Sequence, residues 1–253
     1  MVDCPKTVMK RKALFVVQDK GGQGKSLLTA NLWEWVNAQT PGAAWRLVEV
    51  EQRLNLDLFS QPRYFGAAAV TQLCLATYSD RTKRTTPSLD PLDELVKFAE
   101  EGANLVIDFG ASTYGLFSLW LQERKGYKPF LAAGYEFVFL VPVCGDGDAE
   151  AAMFYNQNHA FMSKLGQVVL VRNFKDGTRF NKLDADKVGR AIDVLEAVDP
   201  LAADLHNDTE GLRRTFGMAM ADDTLCFRSR TDAEDILRDL HSQFTSLKDI
   251  LVP

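Results

Sequence analysis

Between an apolar run, Ala13-Leu14-Phe15-Val16-Val17, and a helix-forming one, Leu27-Leu28-Thr29-Ala30-Asn31-Leu32-Trp33, the chain reads Asp19-Lys20-Gly21-Gly22-Gln23-Gly24-Lys25-Ser26. Strand, glycine-rich turn, Gly-Lys-Ser and helix form the layout of a phosphate-binding loop. Glycines let backbone N–H groups curl round an oxyanion where a Cβ would clash. The helix opening at Ser26 adds unpaired N–H groups and the positive end of its dipole. Lys25 supplies a point charge for the β and γ phosphates, and the Ser26 hydroxyl suits a Mg²⁺ ligand position. Gly21, Gly22, Gln23, Gly24, Lys25, Ser26 and Leu27 are therefore the candidate phosphate-binding residues. The competing possibility is a glycine-rich turn that only reverses the chain.

The rest of the chain alternates short apolar runs with helical periods. Strands are expected at 12–18, 46–51, 104–109, 137–143 and 167–172, and helices at 26–38, 91–101, 147–164, 183–196, 208–220 and 231–249. Near-unbroken apolar strands are those covered by helices on both faces. The alternation predicts an α/β fold, a doubly wound, mainly parallel sheet with right-handed crossovers and ligands at the carboxyl ends of its strands. Asp90-Pro91 and Asp184 are expected helix starts, and Asp208-Thr209 with Gly211 a weaker one. Residues 1–253 are expected to form one domain, with a short leader over 1–11. The polar, basic stretch 79–88 is expected to be a mobile surface loop, because it has too little apolar area to offset its ordering entropy.

Composition narrows the class. Hydrophobic residues make up 46% and charged residues 25% of 253, ordinary values for a globular chain. No apolar run reaches the ~18 residues a bilayer span needs, and the polar N-terminus lacks a secretory h-region. Cys4, Cys74, Cys144 and Cys226 show neither a C-x-x-C pair nor a disulfide framework. A cytoplasmic protein is expected. Net charge −5 argues against a globally basic surface, but DNA binding needs only a local patch. Arg81, Lys83, Arg84, Arg213, Arg214, Arg228 and Arg230 are the candidates for one.

The loop departs from the common phosphate-loop pattern, with Asp19 where a glycine is usual and a second lysine at Lys20. Lys-Gly-Gly-x-Gly-Lys-Ser resembles the deviant loop of the ParA/MinD family of P-loop ATPases. That resemblance implies ATP (and ADP) with Mg²⁺ as ligands and a homodimer sandwiching the nucleotides. It makes Lys20 the lysine reaching the partner's nucleotide and Lys25 the lysine acting within its own subunit. The segment Glu49-Val50-Glu51-Gln52, leading to Asn55-Leu56-Asp57-Leu58, resembles the family's acidic strand end, so Glu51 matches the residue that positions the attacking water. Both family aspartates are glutamates here and a proline is missing, so slow turnover without a partner is expected; exposed carboxylates with no role are the alternative.

Asn104-Leu105-Val106-Ile107-Asp108-Phe109-Gly110-Ala111 resembles a Walker B strand with its switch turn. An aspartate ending an apolar strand is costly to bury unpaired and is satisfied beside Mg²⁺. Asp108 is thus the metal candidate with Ser26, or else a helix cap, and Gly110 is a candidate γ-phosphate sensor and pivot. Val169-Leu170-Val171-Arg172-Asn173 resembles the family strand whose terminal asparagine reads adenine, an amide being complementary to that edge; an ordinary turn asparagine is the alternative. Lys20, Lys25, Glu51 and Asp108 are the expected catalytic set.

The process served stays open between several readings. Plasmid partition or conjugal transfer, the latter suggested by Gly-Lys-Ser-Leu-Leu and its likeness to TraL-type transfer ATPases, would involve a stimulating partner protein and non-specific DNA binding. MinD-like membrane recruitment needs a basic amphipathic tail, whereas 235–251 is acid-balanced and reads as a docking helix. An iron–sulfur reductase needs two suitably placed cysteines per subunit, and only Cys144 qualifies. A hydrolysis-poor nucleotide switch is the non-enzyme reading.

Overall fold

Five of the six residues of β1 (Arg11–Val16) are buried, which places this strand mid-sheet with helices on both sides. The computed structural model describes residues 10–52, 70–79, 84–146, 149–194 and 215–253. After β1 come α1 (Lys25–Gln39), β2 (Trp45–Glu51), β3 (Val70–Cys74), β4 (Ala76–Ser79), β5 (Arg84–Pro87), α2 (Asp93–Glu101), β6 (Asn104–Phe109), α3 (Tyr114–Glu123) and α4 (Tyr127–Ala132). Then follow β7 (Tyr135–Cys144), α5 (Ala149–Leu165), β8 (Gly166–Asn173), β9 (Arg190–Val194), α6 (Phe216–Ala221), α7 (Phe227–Ser246) and α8 (Lys248–Leu251). Seven strands form one sheet in the order β3-β2-β6-β1-β7-β8-β9, and every neighbouring pair is parallel.

Side-chain alternation along each strand feeds two cores. Phe15, Ile107, Phe109, Phe137 and Phe139 point to the face covered by α2, α3, α4 and α5. There Phe15 stacks on Phe139 at 5.2 Å and meets Phe137 edge-on at 5.0 Å. Leu14, Val16, Leu47, Val106, Val138 and Val169 point to the face covered by α1, α6, α7 and α8. In α7, Ile236, Leu240 and Phe244 are buried, and Phe244 lies 5.5 Å from Trp35 of α1. The C-terminal helix therefore docks on the sheet, as its balanced charge predicts. No described helix is long and apolar enough to cross a membrane.

The expected doubly wound parallel sheet is present. Its elements differ from expectation in three places. The helix expected over 183–196 is a 3₁₀ turn, Ala185–Lys187, followed by β9. Asp184 does cap that turn, accepting from Asp186 N at 3.2 Å, but the chain then alternates. Ile192 and Val194 are buried in the second core while Ala191 before them and Asp193 between them are only half-buried, Ala191 packing on the first core, a period of two rather than 3.6. The irregular loop expected over 79–88 is corrected at its ends, where β4 and β5 pair antiparallel with Thr77 opposite Thr86 and Tyr78 opposite Thr85; these are good strand formers. Residues 80–83 lie outside the described residues, as do residues 1–9 of the leader expected over 1–11, the segment Arg53 to Leu58, and Asp208 to Arg214, while Arg11 already belongs to β1. Lastly β3, α3 and α4 were not anticipated.

Candidate functional site

β1 ends beside β6 and β7, the two strands that flank it, and their carboxyl ends meet the loop Asp19 to Gly24. Gly22 and Gly24 adopt φ of 78° and 84°, the left-handed region that glycine enters without penalty. Gly24 precedes α1, and no side chain caps the start of that helix. Its first-turn N–H groups are the ones a bound anion would satisfy.

Lys25 is 7% exposed and donates from Nζ to the Lys20 carbonyl at 3.1 Å, closing the loop on itself. Burial pulls its pKa down, while Asp108, Glu51 and Asp19 push it back up. The ammonium thus sits among carboxylates in a partly dry site, where a phosphate would compete strongly for it.

Asp108 is buried at the end of β6. Ser26 Oγ donates to its Oδ2 at 2.8 Å and Thr29 Oγ1 to its Oδ1 at 3.1 Å. Ser26 and Thr29 are one helical turn apart and share a face of α1, so both carboxylate oxygens are held by the same helix. This confines the side chain beside the loop.

Glu49 and Glu51 lie on the same face of β2, with Glu49 in register with Asp108. Their environments differ. Glu49 is buried and accepts from Gln72 Nε2 at 2.9 Å, whereas Glu51 is partly exposed. The Glu51 carboxylate lies where a Cβ on Gly110 would stand, so residue 110 must be glycine for Glu51 to occupy this position. The turn after Gly110 carries Ser112 at φ 64°, whose N–H donates to Asp19 O at 3.0 Å. Thr113 Oγ1 returns to Gly110 O at 2.7 Å. The expected switch turn is therefore tied to the phosphate loop.

Lys20 extends to the surface and pairs with Glu150 of α5 at 2.6 Å. Asn173, at the end of β8, is buried; its Nδ2 donates to Gln23 O at 3.2 Å and its Oδ1 accepts from Lys175 N at 3.0 Å. Leu27 is half-buried and packs on the second core. The structure thus brings Lys25, Ser26, Glu51, Asp108, Gly110 and Asn173 to one edge of the sheet, with Lys20 at its rim.

Other contributors escaped notice in the sequence. Gln18 is fully buried and donates to Pro142 O at 3.0 Å and Ala151 O at 3.2 Å, joining the ends of β1, β7 and α5. A polar residue closing an apolar strand was the available signal. Thr29 was legible from its spacing to Ser26. Tyr114, whose buried hydroxyl has no hydrogen-bond partner among the described residues, is held protonated by burial and by Asp19. Nothing local marks it, nor Glu150.

Phosphate-loop geometry at the carboxyl edge of a parallel sheet, with a lysine and a serine facing a strand-end aspartate, defines the P-loop NTPase fold. Within that class the chain is similar to a ParA family ATPase from Chlorobium tepidum TLS, with a TM-score of 0.50 over 90% of this chain and 98% of that one at 14% identity. It is also similar to the MinD cell division protein of Aquifex aeolicus, with a TM-score of 0.43, 14% identity, and 92% and 97% of the two chains covered. The MinC:MinD complex of the same organism gives 0.43, 15%, 92% and 96%. No protein-family model and no curated protein matches the sequence. The doubly wound parallel P-loop NTPase sheet expected from the sequence is the fold observed, and it is the fold shared with that ParA family ATPase.

Proposed function

We propose that this protein is a dimerising switch ATPase that binds Mg-ATP and hydrolyses it slowly. The observation that carries the reading is the buried Lys25 beside Ser26, whose hydroxyl meets the Asp108 carboxylate at 2.8 Å. One hydroxyl and one carboxylate are hard oxygen donors and suit Mg²⁺, which takes its remaining ligands from water and phosphate. Ser26 and Asp108 would hold the ion, and when bound it would neutralise charge on the phosphate oxygens. Lys25 would exchange the Lys20 carbonyl for phosphate oxygens. Glu51 would orient the attacking water, and Gly110 would follow the γ phosphate. Lys20 would leave Glu150 and reach the nucleotide of a second copy.

DNA or plasmid partition, or conjugal transfer, with a stimulating partner protein, is the process proposed, and the deviant loop is its support. Of the basic residues named for a DNA surface, Arg228 is exposed and Arg230 is paired with Asp223 at 2.6 Å, while Arg81, Lys83, Arg213 and Arg214 lie outside the described residues. One observation favours the hydrolysis-poor alternative: Glu49, the first of the two acidic positions, is committed to Gln72. Titration with labelled ATP and Mg²⁺ tests the core of the proposal. Wild type should bind, and Lys25→Ala should lose binding, with ~2–5 kcal/mol of charged contact removed. Equal affinity of the two proteins would refute it. Phosphate release by wild type, with and without DNA, then separates a slow enzyme from a passive switch.

A further inference from the structure

Resting on the phosphate-site reading above, we infer that Asn173 is a positioning residue for the phosphate loop, acting through the Gln23–Gly24 peptide. Residue 23 is fastened on two sides. Its carbonyl accepts from Asn173 Nδ2 at 3.2 Å, and its side-chain Oε1 accepts from Cys144 N at 2.7 Å. Those donors come from the ends of β8 and β7, adjacent strands in which Cys144 and Asn173 are in register. Gln23 and Asn173 are 3% and 6% exposed.

The consequence follows from the planarity of the peptide unit. In a trans peptide the C=O of residue 23 and the N–H of residue 24 point in opposite directions. By holding the Gln23 carbonyl, Asn173 turns the Gly24 N–H away from itself, toward the concave side of the loop where a phosphate is read. Gly24 sits at φ 84°, and a Cβ there would stand 2.5 Å from Asn173 Nδ2. The two residues are therefore coupled: the amide approaches closely because residue 24 has no side chain.

Both ends of the Asn173 amide are engaged by the protein, since Oδ1 caps the following 3₁₀ turn through Lys175 N at 3.0 Å. The pocket beside it is walled by Gln23, Gly24, Leu27, Asn31 and Phe216. A donor aimed at the loop and an acceptor aimed at its own turn take one of the two N–H groups and one of the two oxygen lone-pair sites, and together they fix the plane of the amide behind Gln23.

Two variants separate these roles. Asn173→Asp keeps an acceptor for Lys175 N but sets an oxygen against the Gln23 carbonyl. Asn173→Ser keeps a turn cap and is too short to reach Gln23. Displacement of labelled ATP by Mg-ATP and by Mg-tripolyphosphate, which has no base, gives the readout, alongside melting temperatures. Both folded variants should lose about tenfold in affinity for both competitors, equal to ~1.4 kcal/mol. Weakening of ATP alone, with tripolyphosphate unaffected, would mean that Asn173 reads the base and would overturn the inference. Unchanged affinity for both would overturn it too, as would unfolding of both variants, which would make Asn173 a determinant of the fold. Failure of wild type to bind either competitor would instead bring down the phosphate-site reading itself.

Discussion

Lys25 and Glu51 illustrate how much of the site depends on residues that carry no chemistry. The lysine is buried among Asp108, Glu51 and Asp19, and the glutamate keeps its place because residue 110 lacks a side chain. Glu51→Ala should retain ATP while phosphate release falls by ~10²- to 10⁴-fold, the usual loss for a general base. Gly110→Ala should also lower phosphate release while leaving ATP affinity within a few-fold of wild type, because its Cβ displaces the Glu51 carboxylate without touching Lys25 or Ser26. Hydrolysis unchanged in both would remove Glu51 from the mechanism. The chemistry-bearing residues were legible one by one: Lys25 and Ser26 from the loop, Asp108 from an apolar strand that ends in a charge. Their supports were not equally so. Thr29 could be found because helical spacing is fixed, whereas the contact between Gly110 and Glu51 joins two strands that nothing in their local sequence brings together.

Among elements, α1 has two tasks, presenting Ser26 and Thr29 to Asp108 at one end and receiving α6 along its flank. Thr215, which caps α6 through Met218 N at 3.0 Å, donates to Glu34 Oε1 at 2.9 Å, and Phe216 N donates to Asn31 Oδ1 at 3.1 Å. Burial raises the Glu34 carboxyl above its ordinary 4.5, with the Thr215 bond opposing. A carboxyl harder to ionise in the fold than in the unfolded chain holds more protons when folded. Its stability contribution is therefore full below about pH 4.5 and is lost as pH rises through the raised value. Glu34→Gln keeps an acceptor for Thr215 and removes the charge. Its melting temperature should exceed that of wild type at pH 7, by an amount corresponding to less than about 1 kcal/mol, and the difference should shrink toward pH 4. A gain that does not vary with pH would show that ionisation of Glu34 is not its cause. Long helices and wholly apolar strands were recognisable because their periods persist over many residues. The five residues of β9 were too few to reveal a period, and Asp184, a true cap, suggested a helix where only one turn forms.

For the whole molecule, the decisive question is whether the carboxyl edge of the sheet works alone or against a second copy. Lys20 is paired with Glu150, at side-chain exposures of 44% and 68%. A pair so exposed contributes ~0–1 kcal/mol, so exchanging Glu150 for a phosphate across an interface costs little. Lys20→Ala should leave ATP binding by the monomer nearly intact and abolish the proposed dimer formed with ATP and Mg²⁺. Light scattering that finds equal dimer in wild type and variant would refute the role in trans. Several properties were set by the sequence alone. A strand, a glycine-rich turn and a helix start make a phosphate loop by local sterics, and unbroken apolar strands alternating with helices make a parallel sheet covered on both faces. Only the tertiary structure decided which strand ends converge. The order β3-β2-β6-β1-β7-β8-β9 sets Asp108 under Ser26, Glu51 against Gly110, and Asn173 behind Gln23. Such contacts join residues as much as 150 positions apart, and they are selected by the packing of two cores against one sheet, a cooperative choice that no short stretch of sequence encodes.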